Sequence, residues 1–348
     1  MDFERHSVAV EILDPARQFR PARLEMEQRW DPLTGLGCRL LPPLNLFPPA
    51  TGDLTEAATR AAAGCPFCPQ RVEAATPRFP PEIIPAGRLR RGEALLFPNL
   101  HPYARYSSVA VFSPRRHLLP LAEMTPTLVA DNLAVQVEFA RAVTAYDPQA
   151  RWASVNANHL PPSGSSVLHP HTQGSVHAYA TAMQRLLADL PAQRFHDYVA
   201  AEQAAGQRYL GSTGTIDWLV SFAPAGPAEL RAVLFGARSP EQLSDHRVNE
   251  LGYGVATALT FYAELGFASY NMALYGAPDG GREPVMLLRM LCRSNPRPWY
   301  RSDAMWLERL HGEAAVDIWP ETVAERAGHR FRRCPGTAAA AAGASRPR

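Results

Sequence analysis

The chain has 348 residues, of which 46% are hydrophobic, and its formal net charge at pH 7 is +2. This length and composition predict a globular protein of about two domains, and the small net charge argues against nucleic-acid or membrane partners. All 35 basic residues are arginine, which excludes mechanisms that need a lysine, such as the P-loop, the pyridoxal Schiff base and the Ser-Lys dyad.

The sequence has no feature of secretion or membrane insertion. No apolar stretch approaches ~20 residues, and the N-terminal MDFERHSVAV lacks the apolar core of a signal peptide. Five cysteines are an odd number, and a closely spaced pair among them favours a metal site in a reducing compartment over disulfides. We therefore expect a cytoplasmic protein.

Residues 1–93 are predicted to form an N-terminal arm. Proline is dense from 42 to 81, in LPPLNLFPP and RFPPEIIP, which favours extended backbone over a third core. Within the arm, GCPFCPQR places Cys65 and Cys68 in a CxxC pair that can bind one ion through two thiolates. A redox pair or a chance pair is the alternative, but no thioredoxin-like strand and helix surround it.

Residues 94–180 and 216–292 follow the same plan, which indicates an internal duplication. Each stretch is predicted as strand, loop, strand, amphipathic helix, strand, loop, strand. Short matches support the repeat, with SVNANHLPP in the first copy and SYNMALYGAP in the second. We therefore predict a first half at 94–215, a second half with the C-terminal segment at 216–335, and a disordered Ala-rich tail at 336–348.

The stretch SGSSVLHPHTQ is the strongest candidate for chemistry. In a strand, alternate residues share one face, so His169, His171 and Gln173 would line up. Ser165 would precede them on that face. Pro170 donates no ladder hydrogen bond, which predicts an edge strand. A polar edge strand with solvated imidazoles is the alternative, but the ordered triplet behind a Gly/Ser loop favours a functional site.

Two histidines are candidates to complete a metal site with the CxxC pair. Tetrahedral zinc needs two ligands beyond Cys65 and Cys68, and His117 and His169 are the best placed, giving a Cys2His2 site. For His117, a surface histidine that follows an arginine pair is the alternative.

His171 would then carry the reaction. A neutral imidazole attacks phosphoryl and nucleotidyl groups and forms an N–P bond that can be passed on. Gln173 could donate its amide to a phosphate oxygen as charge develops. The hydroxyls of Ser165 and Ser166 and the loop N–H groups could bind the neighbouring phosphate.

These motifs together resemble galactose-1-phosphate uridylyltransferases, within the histidine-triad superfamily. Asn158, the SGSS loop and HPHTQ match the family pattern of Asn, a Gly-Ser loop and His-Pro-His-x-Gln. RWDPLTG resembles the N-terminal motif, GCPFC the zinc knuckle, and FPN followed by FSPRRH the nucleotide-binding strands. The match runs through most of residues 25 to 330 in the family order.

The resemblance implies an α+β fold, in which two tandem histidine-triad-like repeats form an antiparallel half-barrel sheet flanked by helices. It implies that His171 is the nucleophile, that Gln173 contacts phosphate, and that zinc is the cofactor. The implied zinc ligands are Cys65, Cys68, His117 and His169. The implied substrate-binding residues are Arg29, Asn99, Asn158, Ser165, Ser166 and Glu308. A homodimer, with an active site completed by the partner subunit, is also implied.

This chain departs from the family pattern at three places. The family often has a second metal site on an HxH strand, but the corresponding VMLLRML has no histidine, so we expect a single zinc. Leu100, His101 and Pro102 stand where the family commonly has Asp-Phe at the nucleobase. In the sugar-binding segment, Glu308 and Gly312 are the positions that match.

The leading hypothesis is a nucleotidyltransferase that works by double displacement. It would transfer NMP, expected to be UMP, from a nucleoside diphosphate-sugar through His171 to a sugar-1-phosphate-like acceptor, as in galactose metabolism. A phosphorylase or hydrolase of NDP-sugars or dinucleotides is the alternative reaction. A non-catalytic, zinc-stabilised nucleotide-binding protein is the alternative of another class.

Overall fold

The computed structural model describes residues 1–41, 54–278, 283–297 and 303–331. The proline-rich stretch at 42–53 and the predicted tail at 336–348 lie outside these ranges. Within them, the strands are β1 (Arg5–Asp14), β2 (Arg20–Trp30), β3 (Gly37–Leu40), β4 (Leu89–Arg91), β5 (Ala94–Pro98), β6 (Tyr106–Val111), β7 (Trp152–His159), β8 (His171–His177), β9 (Tyr209–Thr213), β10 (Ile216–Val220), β11 (Leu230–Phe235), β12 (Ser269–Gly276), β13 (Val285–Arg293) and β14 (Ala314–Val316). The α-helices are α1 (Thr55–Ala62), α2 (Val72–Ala75), α3 (Pro126–Tyr146), α4 (Ala182–Ala188), α5 (Ala192–Ala205), α6 (Asp245–Glu264), α7 (Trp306–His311) and α8 (Pro320–Phe331).

A ten-stranded antiparallel sheet forms the centre of the fold, in the order β4-β5-β6-β8-β7-β12-β13-β11-β10-β9. From its middle outward, β7-β8-β6-β5-β4 on one side corresponds to β12-β13-β11-β10-β9 on the other. The strand and helix order predicted for each repeat is therefore confirmed. The sheet is open and flanked by helices, as the predicted α+β class requires.

Strands β7 and β12 join the two halves. Ala157 pairs with Met272 and Asn158 with Asn271, so the halves are related by an approximate two-fold axis at this pair. Burial alternates along β7, with every second side chain buried and the others partly exposed. Because strand side chains alternate between faces, the partly exposed row that contains Asn156 and Asn158 lies together on one face.

Helices α3 and α6 cover the opposite face of the sheet. Each begins at a hydroxyl N-cap, Thr125 or Ser244, which accepts a hydrogen bond from the backbone N–H three residues on. Twelve residues of α3 and ten of α6 are buried, and they pack on the sheet to form most of the core. No helix in the described ranges has both the length and the apolarity that a membrane span requires.

The N-terminal arm contains more regular structure than its proline content predicts. Strands β1, β2 and β3 form a second sheet with β14, in the order β1-β2-β3-β14. Strands β1 and β2 pair along their whole length. Apolar residues lie opposite one another across the pair, with Val8 opposite Met26 and Val10 opposite Leu24, and such cross-strand pairs stabilise a sheet. Both Val8 and Val10 are exposed.

The strand predicted for the HPHTQ stretch begins later than expected. It starts at His171, and the residues from Gly164 to Pro170 form a loop. The prediction of an edge strand is wrong, since β8 pairs with β6 on one side and with β7 on the other. Pro170 is compatible with this interior position because it precedes the strand and contributes its carbonyl, which accepts a hydrogen bond from the Phe112 N–H.

Candidate active site and metal centre

The four predicted metal ligands converge, although they come from three separate parts of the chain. The ligand atoms of Cys65, Cys68, His117 and His169 all lie within 4.8 Å of one another. The Cys65 Sγ is 3.5 Å from the His169 Nδ1, and the Cys68 Sγ is 3.4 Å from the His117 Nδ1. A tetrahedral zinc with ordinary Zn–S and Zn–N bonds separates such atoms by about 3.5 Å. The geometry therefore fits one zinc ion.

The hydrogen bonds of these residues suit a metal site, and burial shifts their pKa values. The Nε2–H of His169 donates to the Ser113 carbonyl at 2.8 Å, which leaves Nδ1 as the ligand atom. Burial lowers the pKa of His169 to about 4, so the ring is neutral at pH 7. Burial and the adjacent Cys65 raise the pKa of Cys68 to about 11. A cation that replaced the thiol protons would remove the cost of burying these thiolates.

His171 lies two residues after the predicted ligand His169, and its ring makes its hydrogen bond through the other nitrogen. Its Nδ1–H donates to the carbonyl of His169 at 2.8 Å, and the hydrogen bond fixes the neutral tautomer in which Nε2 carries the lone pair. Burial lowers the pKa of His171, which also favours the neutral ring. The Phe67 ring packs against the imidazole in a T-shaped arrangement, with ring centroids 5.5 Å apart. The arrangement leaves one nitrogen of a held imidazole available as a nucleophile.

A cavity of about 470 Å³ opens beside His171. Its lining includes four predicted site residues, which are Asn99, Ser166, His171 and Gln173. Phe67, Phe97 and Val109 contribute apolar wall. The Oδ1 of Asn99 accepts a hydrogen bond from the His101 N–H, whereas its buried Nδ2 has no partner among the described residues. The cavity thus combines an apolar wall, a free amide donor and the imidazole.

The Gly-Ser loop is held against the junction of the two halves. Gly164 has a φ of 95°, a left-handed conformation that lets the chain turn tightly before Ser165. The hydroxyl of Ser165 donates to the Val167 carbonyl at 2.7 Å and shapes the loop, while Ser166 lines the cavity. The Asn271 Nδ2 donates both to the Oδ1 of Asn158 and to the carbonyl of Ser163.

Two residues that the sequence reasoning did not select, Phe67 and Asn271, contact this site. Phe67 lies inside the CxxC pair, and Asn271 lies in the SYN stretch that matches SVN of the first repeat. The repeat alignment does not identify Asn271, because it makes Asn271 the equivalent of Asn156, whereas Asn271 pairs across the strands with the predicted Asn158.

Comparison with known proteins gives both a sequence relative and structural neighbours. No known family profile matches the sequence. An uncharacterised protein of Archaeoglobus fulgidus is 30% identical over 309 residues, covering 86% of this chain and 91% of the relative. The chain belongs to the same family as the Archaeoglobus protein.

Solved structures identify the fold. An ADP-glucose phosphorylase from Arabidopsis thaliana with bound ADP-glucose has a TM-score of 0.65 and 17% identity, covering 87% of this chain and 98% of that one. A GalT-like protein from the same plant has a TM-score of 0.64 and 17% identity, covering 86% and 97%. A uridylyltransferase has a TM-score of 0.59 and 18% identity, covering 88% and 99%. The fold is that of the galactose-1-phosphate uridylyltransferases, and the resemblance predicted from the motifs is confirmed at this level.

Four of the six predicted substrate-binding residues do not line the His171 cavity. Asn158 and Ser165 lie at the junction of the halves and in the Gly-Ser loop, as described above, whereas Arg29 and Glu308 belong to other parts of the structure. Arg29 is buried, and its guanidinium donates to Glu27 at 2.8 Å and to Glu321 at 2.9 Å. Glu308 lines a second cavity of about 210 Å³ in the other half of the sheet, where it lies 3.5 Å from the Arg293 guanidinium. Phosphate binding by Arg29 and sugar binding by Glu308 therefore stay predictions.

Proposed function

We propose that the protein transfers a nucleoside monophosphate through a covalent intermediate on His171. The observation that carries this proposal is the hydrogen bond from the His171 Nδ1–H to the His169 carbonyl, which presents a free Nε2 to the cavity. Gln173 follows on the same face of β8, within reach of a phosphate bound at that nitrogen.

The reaction would proceed by two displacements at the same phosphorus. In the first, the Nε2 lone pair attacks the α-phosphorus of a nucleoside diphosphate-sugar, and the bond to the bridging oxygen breaks. The sugar phosphate leaves with that electron pair. In the second, an oxygen of the acceptor phosphate attacks the same phosphorus, the N–P bond breaks, and the imidazole is neutral again.

The identity of the acceptor decides between two possible reactions. A sugar-1-phosphate as acceptor makes the protein a uridylyltransferase-like enzyme with UMP as the transferred group, which the motif resemblance favours. Inorganic phosphate makes it a phosphorylase, and the ADP-glucose phosphorylase of the same fold favours this second candidate. Leu100 and His101, in place of the Asp-Phe of the family, permit a base other than uracil.

Zinc would be held by Cys65, Cys68, His117 and His169, as the geometry of their ligand atoms supports. It would supply structural rigidity, by tying the CxxC pair of the arm to the residue two places before the nucleophile. We further propose that the protein is a homodimer, as its motifs imply, with nucleotide-sugar and phosphorylated acceptor as its small-molecule partners.

The test is an exchange assay with UDP-glucose, UDP-galactose and ADP-glucose, each labelled in the nucleotide. With the true donor, wild-type protein should retain acid-labile label, and steady-state kinetics should give parallel double-reciprocal lines. Glucose-1-phosphate and inorganic phosphate are then added in separate reactions. The compound that removes the label from the protein is the acceptor. Intersecting lines, together with full activity of His171→Gly, would show direct transfer instead.

A further inference from the structure

Directly behind the proposed nucleophile, the core contains a continuous chain of polar side chains. The Ser108 hydroxyl donates to the Gln136 Oε1 at 2.8 Å, and the Gln136 Nε2 donates to the Thr172 Oγ1 at 3.0 Å. The Thr172 hydroxyl donates to the Asn132 Oδ1 at 2.6 Å, and the Asn132 Nδ2 donates to the Ala110 carbonyl at 2.8 Å. We call this the α3–β8 hydrogen-bond chain. All four of its side chains are buried, and every link points the same way.

The second half of the fold is an internal control for this feature. Aligning SVN of β7 with SYN of β12 and following the strand register makes Met290 the equivalent of Thr172. Counting from the helix N-caps Thr125 and Ser244 gives the equivalents on α6. In the order Ser108, Asn132, Gln136, Thr172, the equivalents are Ala228, Leu251, Val255 and Met290. All four belong to one buried hydrophobic cluster, so the same architecture packs without polar groups where no histidine pair is present.

A glycine makes room for the α3–β8 hydrogen-bond chain. A Cβ at Gly174 would lie 2.3 Å from the Gln136 Oε1 and 2.4 Å from the Ser108 Oγ. In the second half the equivalent position is Cys292, whose side chain fills that space in an apolar core. The sequence of β8 is thus adapted to the polar chain on its inner face.

Burying four polar side chains gives little net stability compared with apolar packing, but satisfied networks fix one geometry of the groups that make them. Thr172 stands between His171 and Gln173, and its side chain points to the opposite face of β8. We propose that the α3–β8 hydrogen-bond chain is a positioning device, which fixes β8 against α3 and thereby places the His171 ring and the Gln173 amide. This role rests on the proposed nucleotidyl transfer.

The test replaces the polar chain with the side chains that the protein itself uses in its second half. The swap variant carries Ser108→Ala, Asn132→Leu, Gln136→Val and Thr172→Met. Because the side-chain donors and acceptors are removed together and only the Ala110 carbonyl loses a donor, its Tm should be close to that of the wild type. Single-turnover nucleotidylation of His171 should be slower by roughly 10²-fold, the scale of a small misplacement of reacting groups. Thr172→Ser, which keeps the hydroxyl, should retain the wild-type rate.

Thr213→Val is the matched control, since Thr213 is a buried threonine that accepts a hydrogen bond from the Trp218 indole in the second half. It should leave the rate unchanged. A folded swap variant that is labelled at the wild-type rate would overturn the positioning role.

A measurement without substrate separates this inference from the proposed function. In proteins labelled with ¹⁵N-histidine, the His171 ring should give one sharp set of NMR signals in the wild type and exchange-broadened signals in the swap variant. Identical His171 signals in both proteins would refute positioning, whether or not the wild type accepts label. Failure of the wild type to accept label from any donor would refute the nucleotidyl transfer alone.

Discussion

His169 and His171 are only two residues apart, and the hydrogen bond of each ring determines what its other nitrogen can do. His169 donates from Nε2 to the Ser113 carbonyl and presents Nδ1 to the two thiols. His171 donates from Nδ1 and presents Nε2 to the cavity. These opposite hydrogen bonds are what the proposed roles require, with His169 as a metal ligand and His171 as the nucleophile.

Glycine substitutions should separate these two roles. His171→Gly should abolish nucleotide exchange and leave zinc content and Tm unchanged, because the ring is not a ligand. His169→Gly should lower zinc content, Tm and activity together. Elemental analysis, thermal unfolding and the exchange assay on both variants check this. Loss of zinc in His171→Gly would contradict the separation of roles.

Gln173 should act on the rate rather than on the identity of the intermediate. Gln173→Ala removes one preorganised donor to the phosphate, so we expect the intermediate to form roughly 10²-fold more slowly. Quenched-flow measurement of label on the protein gives the rate. An unchanged rate would show that Gln173 does not stabilise the transferred phosphate.

The residue types of the site could be predicted from the sequence, but not their partners. CxxC and HPH have chemistry that is readable locally, and the four ligand atoms do converge. Arg29 could not be placed, because the partner of its guanidinium, Glu321, lies 292 residues away in the sequence. The α3–β8 hydrogen-bond chain was equally invisible, since Asn132 and Gln136 look like ordinary polar residues of an amphipathic helix.

At the scale of elements, the repeat was predictable because each half has its own alternation and breaker residues. The start of β8 was not. The row of alternate residues that contains the histidines extends back to Ser165, but the left-handed Gly164 and the loop hydrogen bond of Ser165 belong to a loop that precedes the strand. The interior position of β8 depends on pairing with β6 and β7, which local sequence does not specify.

The CxxC pair should stabilise the protein through its ion. Cys65→Ser should lose stoichiometric zinc and lower the Tm, since structural zinc contributes to the free energy of folding. Cys38→Ser is the control, because Cys38 is buried outside the cluster, and it should keep one zinc. A zinc-free wild type in elemental analysis would contradict the metal assignment, and two ions per chain would contradict the single site.

Glu229 should make the stability of the second half sensitive to acid. Burial alone would raise its pKa, but the Arg289 and Arg231 guanidiniums lower it from 4.5 to about 2. Its stabilisation is therefore complete above about pH 4.5 and is lost as the pH falls through about 2. Glu229→Gln should lower the free energy of unfolding at pH 7 by about 3 kcal/mol.

Urea unfolding at pH 7 and pH 3 checks the Glu229 prediction, with a smaller difference between wild type and variant expected at pH 3. Asp245→Asn, which removes an exposed ion pair with Arg91, should change stability much less than Glu229→Gln at pH 7, because an exposed pair is screened by solvent. Equal effects of the two substitutions would contradict the role of the buried arginines.

At the scale of the whole molecule, the duplicated fold assigns different tasks to its halves. The first half holds His171, the two histidines of the candidate metal cluster and the α3–β8 hydrogen-bond chain, and the arm adds the two cysteines of that cluster. The second half packs apolar residues at the core positions equivalent to that hydrogen-bond chain. The β1–β2 ribbon leaves apolar residues such as Val8 and Val10 exposed, which suits a surface covered by another molecule.

We expect a homodimer in solution. Light scattering should give a mass of about 76 kDa, twice the 38.2 kDa of the chain. If the interface is stable, the mass should not change as the protein concentration is raised from the micromolar range. A mass of about 38 kDa at working concentrations would contradict the dimer.

The central claim is that His171 carries the nucleotide, and mass spectrometry of the quenched protein tests it most directly. After brief incubation with the donor that supports exchange, and without acceptor, the intact chain should gain the mass of one nucleoside monophosphate. Mapping of peptides under alkaline conditions should place the adduct on His171, and addition of acceptor should discharge it. An unmodified chain during active turnover, or an adduct on another residue, would contradict the account.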